Sequence, residues 1–294
     1  MILLFSGGMD SYIAWHYLGK PKTVYFDLGT PYAQKEIKVI KQLVPDTIIE
    51  TCLNLESRQI GDYFIPYRNL YFALLANKYS DEIVMAGLKD DGIEDKNEAI
   101  FAEWSLLLSK MILRPVVVQS PFWQMTKEDI VKWYIDNVED TELLLKTVSC
   151  YSEEDTNYCG RCRSCFKKWA PFWNNNIRFP YHNKALMMMY YTKHYPLKEK
   201  ELSMKKAIEE FWEAYPEKKI KTLCIDINDL MNEKSDDTPI FLKTPNKALA
   251  KQLHTAWTDG DFILIYTSRK TEEELYDINL WFTEHNIKFS KIIT

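Results

Sequence analysis

Several familiar features are missing from this sequence of 294 residues. No apolar run approaches the length that a helix needs to cross a membrane, and no basic segment precedes the short apolar start. Positive charge is not in excess, since the net charge is −5, and this disfavours a general nucleic-acid-binding protein. We therefore expect a soluble protein of the cytoplasm, or of the host cytoplasm if it is viral, with no membrane partner and no stable complex with nucleic acid.

Glycine is scarce, with 9 residues, so the adjacent pair Gly7-Gly8 stands out. The pair lies in Ser6-Gly7-Gly8-Met9-Asp10-Ser11, between the apolar run 1–5 and an apolar-periodic segment. This order predicts a buried strand, a tight turn and a helix. Backbone N–H groups of such a turn, the helix start and the hydroxyls of Ser6 and Ser11 can bind phosphate. A helix cap with two turn glycines is the alternative interpretation.

This stretch lacks the Gly-Lys-Ser/Thr ending of the Walker-type phosphate loop. Asp10 cannot bind phosphate directly, so we expect it to act through Mg²⁺ or to brace the loop. The position at the end of the first strand favours ligand binding over a simple cap, because α/β sheets bind ligands at that edge.

Strands and helices are predicted to alternate along the chain, first over about 150 residues and again near the end. The predicted strands are 1–5, 22–27, 47–52, 82–87, 114–119, 222–227, 262–266 and 288–293. Helices are predicted over 34–44, 69–79, 98–112, from 126, 246–257 and 272–285, and residues from about 171 to 215 are predicted to be helical, including 185–191 and 200–212. Such alternation predicts an α/β fold with a doubly wound, mostly parallel sheet and a second, smaller α/β domain. We expect a main domain over 1–175, a helical connector over 176–220 and the small domain over 221–294.

Four of the six cysteines follow the pattern C-x8-C-x2-C-x2-C, namely Cys150, Cys159, Cys162 and Cys165. Four thiolates at these spacings can close a tetrahedron around Zn²⁺, and the x2 spacings are too tight for neighbouring disulfides. An iron–sulfur cluster is the alternative to zinc at these four cysteines. We favour a structural zinc knuckle, because four cysteine ligands leave no open position for chemistry. Cys52 and Cys224 lie outside the cluster and are expected to be buried, inert thiols.

The loop and the cysteine cluster together resemble the 7-cyano-7-deazaguanine synthase family, within the PP-loop ATP pyrophosphatases. The resemblance covers roughly residues 1–175. It is carried, in the family's order, by the segments Ser6–Ser11, Tyr25–Gly29, Pro66–Asn69, Ala86-Gly87, Thr126-Lys127, Thr147–Cys150 and Cys159–Cys165. It implies an adenine nucleotide alpha hydrolase-like fold. The four-cysteine ending is the more discriminating feature, since many related enzymes share the loop.

The resemblance implies an ATP-dependent ligase that converts 7-carboxy-7-deazaguanine and ammonia into 7-cyano-7-deazaguanine, for queuosine or for modified DNA bases. The reaction would pass through an acyl-adenylate and an amide. ATP, Mg²⁺ and Zn²⁺ are the implied cofactors. The partners implied are this small 7-deazapurine carboxylate and ammonia, and relatives commonly dimerise, which allows a homodimer.

The family's functional residues map onto matching positions of this sequence. The implied catalytic residues are Ser6, Asp10, Ser11 and Lys127. The residues implied to bind ATP are Ser6, Gly7, Gly8, Met9, Asp10, Ser11, Asp27 and Gly87. The residues implied on the substrate side are Arg68, Asn69 and Asp95. Arginine suits a carboxylate, and asparagine can hydrogen-bond a purine-like edge. The alternatives are an exposed first-turn lysine at Lys127 and a helix start capped by Asn69.

Two segments depart from the family pattern, and both are expected on the substrate side. Thr30-Pro31-Tyr32 stands where Gln-Arg-His is usual, and Gly92-Ile93-Glu94-Asp95 replaces Gly-Tyr-Pro-Asp. These departures leave open which substrate the enzyme adenylates. One alternative is a related PP-loop enzyme that adenylates a different carboxylate or a nucleobase, in nucleic-acid modification or phage–host conflict. Another is a non-catalytic scaffold that binds nucleotide.

Residues 221–294 weakly resemble the haloacid-dehalogenase-like phosphatase fold through Leu223–Asn228, Ile265–Arg269 and the predicted helix and strand from Leu280 to Ile293. That family uses one aspartate as nucleophile and a second, two residues later, as general acid. Here the first would be Asp226 and the second is Asn228, which cannot donate a proton as an acid. The family's later lysine and magnesium-binding acids do not appear before Thr294. We therefore expect a degenerate accessory domain, in which Asp226 with Thr267 or Ser268 could shape a vestigial anion site.

Overall fold

The computed structural model describes residues 1–51, 53–59, 65–91, 93–138, 140–151, 158–159, 162–177, 201–214, 222–232, 239–259, 261–285, 287 and 289–294. These residues divide into two compact units, residues 1–177 with 201–207 and the described part of 208–294. Most of the predicted connector, with its helix over 185–191, lies outside the described residues. Within the described ranges, no helix is long and apolar enough to cross a membrane.

The first unit is built on a sheet of five parallel strands. The strands are β1 (Ile2–Leu4), β2 (Lys22–Phe26), β3 (Ile48–Glu50), β4 (Glu82–Val84) and β5 (Val117–Gln119). Their order across the sheet is β3-β2-β1-β4-β5, so β1 is central and the direction of winding reverses beside it. The doubly wound parallel sheet predicted from the sequence is confirmed, and the edge at which sheets of this kind bind ligands lies at the end of β1.

The helices of the first unit follow the predicted alternation. They are α1 (Met9–Tyr17), α2 (Ala33–Leu43), α3 (Arg68–Ala76), α4 (Glu98–Ile112), α5 (Lys127–Val138), α6 (Thr141–Lys146), α7 (Arg163–Asn174) and α8 (Leu202–Ala214), of which the last continues into the second unit. Sequence patterns missed α6 and the start of α7. Both helices begin at side-chain caps, because Asp140 accepts from the N–H of Leu143 and Cys162 accepts from that of Cys165.

The core of this unit fixes the position of the loop that follows β1. Ile2, Val24 and Ile83 come from three adjacent strands and are fully buried. They pack with side chains of α3 and α4, including Ala73 and Phe101. Because β1 is covered on both sides, as parallel central strands are, the turn that leaves it is held at one place on the sheet edge.

The β5 edge of the sheet is closed by two serines of α4. Ser105 Oγ accepts from Val118 N at 2.8 Å, and Ser109 Oγ accepts from Val116 N at 2.8 Å. The two serines are four residues apart, so they lie on one face of the helix. Through them, α4 hydrogen-bonds the backbone groups that an edge strand ordinarily leaves unpaired.

The second unit contains a sheet of three parallel strands, in the order β6-β7-β8. Its elements are β6 (Thr222–Asp226), α9 (Lys247–Asp259), β7 (Phe262–Tyr266), α10 (Glu272–Glu284) and β8 (Lys291–Ile293). Ile263, Ile265 and Trp281 are fully buried in its core. The smaller α/β unit predicted from the sequence is therefore confirmed.

Cys224 is exposed, so the prediction of a buried thiol at this position is wrong. It lies on β6, an edge strand whose alternate residues are exposed. Side chains alternate between the two faces of a strand, and Cys224 shares its face with the exposed Thr222 and Asp226. Cys52 lies outside the described residues.

Candidate active site and metal centre

The turn after β1 is the predicted phosphate-binding loop, and its backbone leaves N–H groups open to an anion. Gly7 has a φ of +69°, in the left-handed region that favours glycine, and its carbonyl accepts from Val148 N at 2.9 Å. A Cβ on Gly8 would lie 3.2 Å from Ser6 Oγ and 3.3 Å from Val148 O. Gly8 is the N-cap residue of α1, and within the described residues no side chain caps this helix. The first N–H groups of α1 therefore remain available to an anion.

Both predicted hydroxyl ligands lie at this turn. Ser6 Oγ and Ser11 Oγ are 3.4 Å apart, and Ser6 Oγ also accepts from Gly8 N at 3.4 Å. Ser11 Oγ donates to Gly8 O at 3.0 Å. Met9, by contrast, buries its side chain in the protein, so it can contribute only its backbone to a ligand.

Lys127, the first residue of α5, reaches the loop and forms an ion pair with Asp10. Its side chain is 10% exposed, which excludes the alternative of an exposed first-turn lysine. Burial alone would lower the pKa of Lys127, but Asp10 and Asp91 raise it above its ordinary value. The ammonium is therefore charged beside the loop.

Asp10 has one oxygen left over from this ion pair. Its Oδ2 accepts from Lys127, whereas its Oδ1 is buried and has no hydrogen-bond partner among the described residues. A buried carboxylate oxygen without a partner calls for a ligand or an ion. Mg²⁺ binds carboxylate oxygens and phosphates together, so Asp10 fits the predicted ion.

Asp90 and Asp91, which follow β4, extend the charged cluster around Lys127. Asp90 accepts from Lys127 N at 3.0 Å and from Ser203 Oγ at 2.8 Å, and Asp91 lies 2.7 Å from Lys96. Burial raises the pKa of Asp90. Burial would also raise the pKa of Asp91, but Lys96 and Lys127 hold this pKa below its ordinary value. Sequence reasoning missed these residues, although two adjacent aspartates in the loop that follows the predicted strand 82–87 could have indicated them.

Asp27 and Gly87 lie after the two strands that flank β1. Asp27 Oδ1 accepts from Gly29 N at 2.8 Å. Gly87 N donates to Ser120 Oγ at 3.0 Å, and Ser120 Oγ donates to Gly87 O at 2.6 Å. A Cβ on Gly87 would overlap the ring of Trp123. Gly87 thus makes room for an aromatic ring, and its predicted contact with nucleotide stays a prediction.

Two of the predicted substrate residues are in direct contact. Asn69 Nδ2 donates to Asp95 Oδ1 at 3.0 Å, and Asn69 is buried. Tyr67, with a left-handed φ of 61°, occupies the cap position of α3, and Asn69 is the second residue of the helix. The alternative in which Asn69 caps this helix is therefore wrong.

Arg68 lies among aromatic and acidic groups. The rings of Tyr32 and Tyr151 are 4.7 Å apart, and Tyr25 donates to Glu36 Oε2 at 2.6 Å. Burial would lower the pKa of Arg68, but Tyr151, Tyr32 and Glu36 raise it. Burial raises the pKa of Glu36 to about 7. Tyr32 belongs to the segment that departs from the family pattern, so this departure places a buried aromatic ring near Arg68.

The four clustered cysteines converge on one point. Their Sγ atoms lie within 4.8 Å of one another, and those of Cys159 and Cys165 are 3.9 Å apart. A tetrahedral zinc with Zn–S bonds of about 2.3 Å requires sulfur pairs about 3.8 Å apart, so the cluster fits this metal. Cys159 N donates to Cys150 Sγ at 3.3 Å and Cys165 N to Cys162 Sγ at 3.4 Å. Zinc held by four thiolates would stabilise the fold without taking part in the reaction.

The cysteine centre is connected to the phosphate-binding loop. Val148, two residues before Cys150, donates its N–H to Gly7 O. Lys168 of α7 is buried and donates to Leu145 O at 3.2 Å and to Thr147 O. The segment between α6 and Cys150 is thereby held on one side by α7, which Cys162 caps and which contains Cys165, and on the other side by the loop.

The parallel sheet of order β3-β2-β1-β4-β5, with a glycine turn after its central strand, is the fold of a PP-loop α/β domain. A family model described as "Queuosine biosynthesis protein QueC" matches residues 36–176. A curated relative, the 7-cyano-7-deazaguanine synthase of Staphylococcus aureus (strain bovine RF122 / ET3-1), is 22% identical over 196 residues, covering 56% of this chain and 88% of the relative. Residues 36–176 thus belong to the QueC family, and the resemblance predicted from the motifs is confirmed. The match over these residues and the named relative support an ATP-dependent ligase.

Proposed function

We propose that this enzyme converts 7-carboxy-7-deazaguanine and ammonia into 7-cyano-7-deazaguanine with consumption of ATP. The observation that carries the proposal is the buried Lys127–Asp10 ion pair beside the glycine turn, in a chain with a QueC-family domain. The name of the Staphylococcus aureus relative supports the product. The Cys₄ cluster supports a structural Zn²⁺, with an iron–sulfur cluster as the alternative.

The first step would be attack of the substrate carboxylate oxygen on the α-phosphorus of ATP. The bond to the bridging oxygen breaks, and pyrophosphate leaves with its electron pair, which gives an acyl-adenylate. Backbone N–H groups from Gly7 to Ser11 would bind the phosphates, with the hydroxyls of Ser6 and Ser11. Lys127 would balance the charge of the departing pyrophosphate, and Mg²⁺ held by Asp10 would supply further neutralisation when bound. Such a step depends mainly on positioning and charge stabilisation.

The later steps would use the same loop. Ammonia attacks the acyl carbon, AMP leaves with the electron pair of the C–O bond, and loss of a proton gives the amide. The amide oxygen then attacks the α-phosphorus of a second ATP and again releases pyrophosphate. Departure of AMP with loss of both N–H protons forms the nitrile. We place Arg68 at the carboxylate, and the Asn69–Asp95 pair at the purine-like edge.

A product assay tests this function directly. Purified protein is incubated with ATP, ammonium and 7-carboxy-7-deazaguanine, and the products are separated and identified by mass spectrometry. We expect the nitrile, with two AMP and two pyrophosphate formed for each product. Intact substrate, with ATP bound at the loop but not consumed, would contradict the proposal and favour the non-catalytic scaffold.

A related enzyme with a different acceptor is the second candidate. Tyr32, packed against Tyr151 near Arg68, lies in the segment where the family usually carries Gln-Arg-His, and this observation favours a changed substrate side. Release of AMP from ATP only when another carboxylate or a nucleobase is supplied would support this candidate. The adenylation chemistry at the loop would be the same.

For residues 221–294 we propose a degenerate accessory role. Asp226 would be the nucleophile of the haloacid-dehalogenase-like pattern, but its Oδ1 accepts from Asn228 N at 2.8 Å and caps a 3₁₀ turn. Asn228 provides no general acid. We expect no hydrolysis of p-nitrophenyl phosphate by the full chain with Mg²⁺; hydrolysis that is lost in Asp226→Asn would show an active phosphatase.

A further inference from the structure

Tyr67 combines a strained backbone with an exposed aromatic ring. Its φ of +61° lies in the left-handed region, which disfavours a side chain of this size, and the residue is 70% exposed. In the part of the chain that the structure describes, the side chain of Tyr67 forms no hydrogen bond, ion pair or ring contact. No contact of this side chain within that part therefore offsets the strain.

The place of Tyr67 in the fold does not require this conformation. Tyr67 is the cap residue at the start of α3, where the backbone is ordinarily extended and a short polar side chain ordinarily accepts a hydrogen bond. The tyrosine side chain makes no such bond. Left-handed backbone is common at the opposite end of a helix, where it closes the last turn. Neither the start nor the end of a helix thus explains a tyrosine at this residue.

The other non-glycine residues with a positive φ in the described ranges each have a local explanation. Leu113 follows α4, at the position where left-handed backbone ordinarily ends a helix. Lys20 places its ammonium group over the ring of Trp15, 5.2 Å from the ring centroid. Asn176 is of a residue type that tolerates the left-handed region. Tyr67 has no explanation of this kind, and unexplained backbone strain occurs mainly at functional sites.

The two residues that follow Tyr67 are those that we propose to bind the acceptor. Arg68 is partly buried and Asn69 is buried, so an exposed side chain directly before them lies at the border between this site and solvent. The backbone at Tyr67 is held on both sides. Arg68 N donates to Ile65 O at 3.3 Å, and Tyr71 N donates to Tyr67 O at 3.0 Å.

We infer that the phenol ring of Tyr67 stacks on one face of the planar base of the acceptor, while Arg68 binds its carboxylate and Asn69 its edge. The inference rests on the proposed function and adds a residue that selects for a flat, heteroaromatic acceptor. Stacking requires an aromatic ring with a free face, and the exposed phenol provides one. Hydrogen bonds to the edge orient the base within its plane, whereas a stacked ring fixes the plane itself. The strained backbone is retained because the side chain that it carries is used in binding.

The test compares the binding of 7-carboxy-7-deazaguanine with the stability of the fold in variants of the full chain. Tyr67→Gly removes both the ring and the strain. The Kd for the acid, measured by isothermal titration calorimetry, should rise ~10-fold or more in this variant. Its melting temperature should stay the same or rise by up to about 4 °C, because glycine adopts the left-handed region without strain. Loss of a merely structural residue would lower the melting temperature.

Further variants separate the ring from the backbone. Tyr67→Ala should weaken binding as much as Tyr67→Gly without relieving the strain, and Tyr67→Phe should keep the wild-type Kd. In steady-state assays the KM for the acid should follow the Kd, and the KM for ATP should not change. Leu113→Gly is the matched control, because it relieves the same strain at another exposed apolar residue, after the end of α4. It should leave the Kd and both KM values at their wild-type levels.

The outcomes distinguish this inference from the proposed function. A wild-type Kd in Tyr67→Gly would overturn the inference and leave the function intact. A higher KM for ATP with an unchanged Kd for the acid would also overturn it, and would place the ring at the adenine. Binding that is weakened in Tyr67→Gly, without formation of the nitrile by the wild type, would support the stacked ring and contradict the function. A wild-type chain that does not bind the acid would overturn both.

Discussion

Lys127 and Asp10 are 117 residues apart in the sequence, yet their charged groups meet at the turn after β1. The ion pair joins the first helix of the sheet to the fifth and lies largely out of solvent. It explains how a lysine at the start of a helix, where the dipole disfavours a cation, is stable in the charged form.

Removal of the lysine should damage both activity and stability. In Lys127→Met, Asp10 loses its partner and Asp91 loses a nearby cation, so we expect a fall of kcat by 10²-fold or more and a loss of about 3 kcal/mol of unfolding free energy. Steady-state release of AMP and urea denaturation measure the two effects. Lys132→Met is the matched control, because Lys132 lies on the same helix, is 67% exposed and forms only a surface pair with Asp136. Wild-type turnover in Lys127→Met would refute the assignment.

The cysteine centre should contain one zinc ion per chain. Cys162→Ser removes a ligand and the side chain that caps α7, so the purified variant should lack the metal and melt at a lower temperature. Cys224→Ser, a change at the exposed cysteine of β6, should keep both the metal and the melting temperature. Metal content by mass spectrometry and thermal denaturation are the measurements. Iron with inorganic sulfide in place of zinc would contradict the zinc assignment.

Gly87→Ala should destabilise the protein through Trp123. The added methyl group overlaps the indole ring, and we expect a loss of about 1–3 kcal/mol. Trp123→Leu in the same chain should recover part of that loss, so a double-mutant cycle should give a coupling of at least about 0.5 kcal/mol. Gly19→Ala is the control. Gly19 has a φ of +72° but a Cβ there would have no neighbour within 4 Å, so the loss of unfolding free energy in Gly19→Ala should not depend on Trp123. Additive effects of Gly87→Ala and Trp123→Leu would rule out the steric explanation.

Glu36 should make stability fall as the pH rises towards neutrality. Its pKa is raised from 4.5 to about 7 in the folded chain, so the native state holds one more proton than the unfolded chain between these values. The contribution is fully present below about pH 4.5 and is lost as the pH rises through 7. Relative to Glu36→Gln, the wild type should therefore lose on the order of 1–3 kcal/mol between pH 4.5 and 7.5. Urea denaturation across this range checks the difference, and parallel curves for the two proteins would disprove it.

Asp95→Ala should affect the acceptor and leave ATP binding intact. The change removes the hydrogen-bond acceptor of Asn69, whose amide is then free to turn. We expect the KM for the carboxylate substrate to rise about 10-fold, in line with the loss of one buried hydrogen bond, with little change in the affinity for ATP. Initial rates with each substrate varied in turn separate the two effects. An equal loss of ATP affinity would place Asp95 on the nucleotide side.

The parts of this structure that follow local rules could be predicted from the sequence. The apolar strand segments with short connections predicted the parallel sheet, and the spacing of Cys150 to Cys165 predicted the cysteine cluster. The parts that were missed depend on contacts between distant segments. Ser203 hydrogen-bonds Asp90 from 113 residues away, and no periodicity in either segment indicates that bond. Likewise, Cys224 is exposed because it lies on the exposed face of β6, which its apolar sequence does not reveal.

The hydrogen bond from Val148 to Gly7 also sets an order of events during synthesis. The glycine turn leaves the ribosome among the first residues, but the neighbour that supports it is translated about 140 residues later. A nascent chain therefore carries this turn without its support for most of the translation of the first unit. Competence to hold a nucleotide should arise late, when the segment before the cysteine cluster has emerged and Val148 can bond Gly7.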